Sequence, residues 1–176
     1  MVPPNVSLRY LFTAEYTQPL SLADNDRRDR GFRLERVVKN LTEPKRDGST
    51  GAPYQLNDRL LITYRVVTAK QQYFVALVDE LPAGVETVNP DLKMLAGMYD
   101  VPEPRTWLDL SHVERRDRKT MLYFDQMATG STSYSVLARV NAGGTFRWPS
   151  ASVSPMYDLR TSGQSAASEI TVAAER

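Results

Sequence analysis

Apolar and polar residues alternate with a period of two along much of the chain, in short runs bounded by turn formers, which is the pattern of half-buried β-strands. Over residues 7–16 one parity carries Leu8, Tyr10, Phe12, Ala14 and Tyr16, while the other carries Ser7, Arg9, Thr13 and Glu15 beside a single Leu11. Residues 32–41 repeat the pattern, with Phe32, Leu34 and Val38 on one face and Arg33, Glu35 and Lys39 on the other. The runs 60–68 and 73–79 are apolar on both parities and rich in β-branched and aromatic residues, so they read as central strands. Further strands are predicted over 119–124, 133–140, 145–148 and 169–173. Seven or eight strands at this spacing point to an antiparallel β-sandwich of immunoglobulin-like architecture.

One helical insertion interrupts the pattern. Asn89 can cap it, Pro90 suits its first turn, Asp91 complements the dipole and Gly97 can end it, so a short helix is expected over 90–95. Residues 21–30, which are charged, and 42–53, which hold Pro, Lys, Arg, Asp, Gly and Ser, read as loops. Neither has the composition of a domain linker, and no repeat of solenoid period occurs. A single domain over 1–176 is expected, with a boundary strand and charged loop in 1–30 and the main sandwich in 31–176.

Composition narrows the function classes. The chain has 176 residues, 22 Lys+Arg against 21 Asp+Glu, one His and no Cys. Balanced charge gives no field to steer the chain onto nucleic acid, which argues against it as a partner. Without cysteine this chain carries no disulfide, thiol nucleophile, Cys-ligated zinc or internal thioester. His112 alone could act as an imidazole base, which leaves a Ser-His-Asp triad hanging on one residue. No apolar run approaches the ~20 residues of a membrane helix, and residues 1–5 lack the basic and apolar regions of a signal peptide.

Several residues invite chemistry and each has a plainer structural reading. Asp79 and Glu80 are adjacent acids, but neighbours in a strand point to opposite faces, so they read as the charged end of a strand rather than a hydrolytic pair. The mixed run Glu114 to Lys119 suits cross-strand ion pairs on a solvated face, or less directly an anion-binding arginine cluster. His112 reads as a surface or turn residue. Trp107, Trp148 and nine tyrosines could stack sugars on a sheet face, although core packing accounts for most such rings. The sequons at Asn5 and Asn40 are three-residue patterns that arise often by chance. Gly143-Gly144, between two strand-like runs, reads as a hairpin rather than a phosphate loop.

Four ordered segments carry a resemblance. They are Gly31-Phe32-Arg33-Leu34-Glu35-Arg36, the stretch Val78 to Glu86 containing Leu81-Pro82-Ala83-Gly84, the stretch His112 to Lys119, and Gly144-Thr145-Phe146-Arg147-Trp148-Pro149 leading to Pro155-Met156-Tyr157-Asp158. Together they resemble the C-terminal macroglobulin-like domain of bacterial alpha-2-macroglobulins from about residue 31 onward. The chain departs from that pattern with Arg118 where an acid is common, Lys119 where an arginine is common, and Leu159 where a proline often stands.

The resemblance implies a non-catalytic module, without cofactor or metal, of a large periplasmic or envelope protease trap. In that family a bait region is cut, the molecule rearranges, and a thioester in another domain acylates the attacking protease. The module's implied partner is the thioester domain of the same parent chain, with target proteases met indirectly and a membrane reached only through an anchor elsewhere in the parent. The Met-Tyr pair of the Met-Tyr-Asp motif, here Met156 and Tyr157, resembles the element that keeps water from the thioester; the plainer reading places both in the packing of this domain's own last strand. The stretch Pro149 to Pro155 is expected to present that pair as an extended loop. The alternative reading is a free-standing carbohydrate- or cell-surface-binding sandwich using Trp107, Trp148 and surface tyrosines; a hydrolase built on Asp and Glu ranks last.

Overall fold

The computed structural model describes residues 11–15, 27–46, 52–89, 110–158 and 160–173. Its strands are β1 (Arg28–Arg30), β2 (Phe32–Asn40), β3 (Arg59–Thr68), β4 (Gln72–Glu80), β5 (Val85–Thr87) and β6 (Leu110–Arg116), then β7 (Lys119–Met127), β8 (Gly130–Val140), β9 (Gly144–Trp148), β10 (Ser152–Pro155), β11 (Ser162–Gln164) and β12 (Ser168–Val172). A six-stranded sheet runs β1-β11-β10-β4-β7-β6, a four-stranded sheet runs β2-β3-β8-β5, and β9 pairs with β12 separately. Every strand pairing is antiparallel. The fold is therefore the antiparallel β-sandwich that the alternating runs predict.

Side-chain parity builds the core. Leu60, Ile62, Tyr64 and Val66 of β3 are buried against Val75 and Leu77 of β4, Leu122 and Phe124 of β7, and Val136 and Val140 of β8. The Phe124 and Tyr134 rings, from opposite sheets, meet at 4.5 Å between centroids. A smaller cluster of Leu61, Leu137 and Val88, with Leu41 packed against it, uses the opposite parity of β3 and β8, which explains why the 60–68 run reads as apolar on both faces. Each fully buried aliphatic or aromatic side chain of this kind contributes roughly 1.5–3 kcal/mol relative to exposure.

Several expectations need correction. Of the strand expected over 7–16, the described residues 11–15 have no regular structure, with Leu11 and Phe12 almost fully exposed; alternation there finds no ladder partner among the described residues. Part of the 21–30 loop is strand β1, whose charged residues are tolerated because it lies at a sheet edge. Gly143-Gly144 does not turn a hairpin. β8 and β9 belong to different sheets, so the chain crosses between layers there, with Gly144 at φ +140° and the Phe146 ring 3.1 Å from where a Cβ would stand. The helix expected over 90–95 lies outside the described residues.

Two local features tie the edges down. β5 is clamped to β8 by Arg139, which donates to Glu86 Oε1 through Nε at 3.0 Å, while Asn141 Nδ2 donates to Glu86 Oε2 at 3.3 Å. The Arg139 hydrogen bond, helped by Asn141, holds the Glu86 carboxyl below the ordinary carboxylate range against the opposing effect of burial. On the other edge, Gly163 of β11 crosses β2 so closely that a Cβ would lie 2.7 Å from the Phe32 carbonyl oxygen and 2.9 Å from its Cβ.

Gly163→Ala is expected to cost about 1–3 kcal/mol, because the clash is with backbone that cannot swing aside; a urea midpoint equal to the parent's contradicts it. A depressed folded-state pKa means that Glu86 stabilises the fold above its unfolded value and that this contribution is lost as pH falls through the folded value. The stability difference between the parent and Glu86→Gln should therefore shrink as pH drops from 7 to below about 4.3, and a pH-independent difference refutes this.

Candidate functional site

Two constellations stand out, one buried and one exposed. The buried one starts from a parity anomaly. Arg36 shares the inward parity of Phe32 and Leu34 in β2, and Asp79 shares that of Val75 and Leu77 in β4, so the strands carry a cation and an anion into the core. Their side chains are 3% and 0% exposed, and Arg36 Nη1 stands 2.7 Å from Asp79 Oδ1. The same Nη1 donates to the Pro149 carbonyl at 2.7 Å, and Nη2 reaches Ser168 Oγ at 3.4 Å. The Arg36 guanidinium carbon lies 4.4 Å from the centroid of the fully buried Trp148 ring, a cation–π contact. Tyr64 donates its hydroxyl to Asp79 Oδ2 at 2.7 Å.

Electrostatics follow from that enclosure. Burial pushes the Asp79 carboxyl above the ordinary carboxylate range, although the Arg36 charge and the Tyr64 hydroxyl pull it down. Burial first, and then the Asp79 charge, hold the Tyr64 phenol well above its ordinary value. The site is closed and its groups face one another, so the arrangement is suited to fixing strands in place.

The exposed constellation sits where β4 and β10 end together. The stretch expected as an extended loop is in part strand: β10 inserts between β11 and β4, with Pro155 opposite Val75. Immediately beyond it Met156 and Tyr157 leave the sheet, 51% and 83% exposed, so neither packs in the domain's own core. Beside them on β4, Tyr73 and Phe74 are also exposed. The Phe74 and Tyr157 rings meet edge to face at 5.8 Å with an interplanar angle of 81°. Met156 N donates to the Phe74 carbonyl at 2.8 Å. Four large apolar side chains thus share one end of the six-stranded sheet, which a domain has no internal reason to expose.

The remaining candidates divide cleanly. Asp79 and Glu80 do point to opposite faces, but Asp79 is a core residue rather than the charged end of a strand, because Arg36 waits for it inside. Glu80 is exposed, 3.8 Å from Lys119. His112 is an exposed residue of β6 stacked on Tyr123 at 5.9 Å. In the Glu114 to Lys119 run, Arg116 Nε donates to Glu114 at 2.6 Å within β6 rather than across strands, and the pairing across strands is that of Lys119 with Glu80. A cavity of about 630 Å³ lies between Pro82, Arg116, Arg118, Lys119, Phe146 and Arg147, with Arg116 and Lys119 already committed to Glu114 and Glu80. Asn40 is buried, its amide donating to Asp58 at 2.8 Å and accepting from Thr42 N at 2.9 Å, which closes that sequon to modification. Trp148 is buried and unavailable for sugar stacking; Trp107 lies outside the described residues. Among the described residues, no three His, Asp or Glu side chains are grouped to hold a metal, and no helix is long and apolar enough to cross a membrane.

A closed sandwich with a charged internal clasp and an apolar end patch defines the class of this chain as an all-β sandwich domain. The chain belongs to the family of bacterial alpha-2-macroglobulin MG10 domains, whose model matches residues 31–158. Its fold is similar to that in Escherichia coli alpha-2-macroglobulin activated by porcine elastase, at 20% identity and a TM-score of 0.71 over 84% of this chain and 14% of that one. It is likewise similar to native E. coli alpha-2-macroglobulin spanning domain MG7 to the C-terminus, at 20% identity and a TM-score of 0.66 over 84% of this chain and 24% of that one. A circularly permutated Ras protein 2 of Dictyostelium discoideum is 25% identical over 114 residues, 64% of this chain and 3% of that protein. The chain therefore spans a small part of the proteins it matches.

Asp79→Asn leaves the Arg36 charge buried without its counter-ion and is expected to cost about 3–5 kcal/mol. Tyr64→Phe removes one hydrogen bond to a charged acceptor and should cost about 1.5–3 kcal/mol. Urea denaturation of the two variants checks both, and a loss below about 1 kcal/mol for Asp79→Asn contradicts the clasp.

Proposed function

We propose that this chain is the C-terminal module of a periplasmic or envelope alpha-2-macroglobulin-like protease trap, that it performs no catalysis itself, and that it packs against the thioester domain of its parent chain. In this reading Met156 and Tyr157 cover the thioester until a protease cuts the trap. The observation that carries it is the position of the pair: in a member of the MG10 family, these two side chains stand exposed outside the core at the end of β10, held there by the backbone bond from Met156 N to Phe74. A thioester is an activated acyl group that water hydrolyses, so its lifetime depends on a dry cover. A polarizable Met fills irregular gaps, and a Tyr ring adds area with a hydroxyl to satisfy at the rim. That a relative is activated by elastase supports the link to proteolysis.

The test is spontaneous and methylamine-driven loss of the thioester in the full-length parent protein. Tyr157→Ala and Met156→Ala are each expected to speed it on the order of tenfold, the change that ~1.4 kcal/mol of lost protection gives. Stability should change by no more than about 0.5 kcal/mol, since both residues are on the surface of the domain. Parental rates in both variants refute the cover.

A further inference from the structure

Phe74 has a backbone that its residue type resists. Its φ is +51°, in the left-handed region that glycine and asparagine enter readily and a bulky aromatic does not. Holding it there costs on the order of 1–3 kcal/mol. The usual compensation would be burial of the ring, but half of Phe74 is exposed. The ladder to β7 steps from Tyr73 opposite Gln126 to Val75 opposite Phe124 and leaves Phe74 unpaired. The strain is therefore not offset by a place for the ring in the core. What it does is turn the ring out of the sheet, where it meets Tyr157 edge to face at 5.8 Å, while the Phe74 carbonyl accepts from Met156 N at 2.8 Å.

Both contacts fall on the pair that the reading above assigns to the thioester cover, and they act on different parts of it. The hydrogen bond fixes the main chain at Met156 just after β10 ends, and the ring fixes the direction of a side chain that is otherwise 83% exposed. An unsupported tyrosine in such a position samples several rotamers and loses entropy on docking; a supported one docks with that loss already met.

We infer that Phe74 is a positioning residue for Tyr157, its strained backbone holding the ring that orients the tyrosine for docking. This rests on the cover reading and extends it to β4. The experiment uses the full-length parent with Phe74→Ala, Phe74→Gly, Phe74→Tyr, Tyr157→Ala and the Phe74→Ala/Tyr157→Ala double variant, and follows methylamine-driven loss of the thioester. Phe74→Ala should raise the rate several-fold but not beyond Tyr157→Ala. Phe74→Gly, which takes φ +51° without strain, should do the same, showing that the ring rather than a misfolded strand is responsible. Phe74→Tyr should restore the parental rate, and the double variant should be no faster than Tyr157→Ala alone.

Parental rates in Phe74→Ala and Phe74→Gly, with Tyr157→Ala still fast, overturn the positioning role and leave the cover standing. Multiplying rate factors in the double variant also overturn it, because Phe74 would then act without Tyr157. A parental rate in Tyr157→Ala removes the cover itself and this role with it.

Discussion

The Arg36 guanidinium is the point on which the three sheets converge. It leaves β2 in the four-stranded sheet, pairs with Asp79 of β4 in the six-stranded sheet, lies over Trp148 of β9, and reaches Ser168 of β12. Tyr64 of β3 holds the far oxygen of the same carboxylate. Taking both charges out of water is costly, and a well-packed apolar pair of similar volume is often as stable. Apolar contacts, however, have no direction. A planar cation with fixed donor angles accepts these partners in one relative placement, so the pair specifies how the sheets and the β9–β12 ribbon sit together, while the surrounding aliphatic residues supply the driving force.

The clasp is also separate in space from the exposed apolar end of the sheet. The interior is complete without Met156, Tyr157, Tyr73 or Phe74, which lie beyond the last buried residues of β10 and β4. Strain and exposed apolar area are concentrated at one end of the sheet, and the ion pair is sealed in the middle. An exposed surface can then vary without disturbing the core, and β4 links the two regions directly because it carries Asp79 near one end and Phe74 near the other.

Long strands were legible because β2 shows its period of two over nine residues and β3 is a long run of β-branched and aromatic residues, apolar on both parities. The short strands β1, β5, β10 and β11 were not: three or four residues show no period, and their state is set by partners far away, such as Gln164 opposite Arg28. The clasp was half legible. Parity puts Arg36 with Phe32 and Leu34, and Asp79 with Val75 and Leu77, but nothing local says that the two buried charges meet. Three of the four segments that carry the family resemblance supply its members, namely Arg36, Asp79 and Trp148 with Pro149, so segments that look unrelated along the chain are one cluster in space. Met156 and Tyr157 were reachable only through the motif. Phe74 was missed because its run reads as an ordinary central strand, and a positive φ leaves no mark in composition.

The spread of the clasp along the chain bears on how the domain is made. Arg36 finds Asp79 43 positions later, Pro149 113 positions later and Ser168 132 positions later, and β1 waits for β11. Pairings of such sequence separation close slowly, since loop entropy is spent before the contacts form. During synthesis the β2–β3 pair can assemble early, but its arginine remains without most of its partners until nearly the whole domain has left the ribosome. Over that interval an inward-facing charge disfavours premature collapse of the first sheet on wrong apolar neighbours. The last strands to emerge then lock an arrangement that the earlier ones leave open.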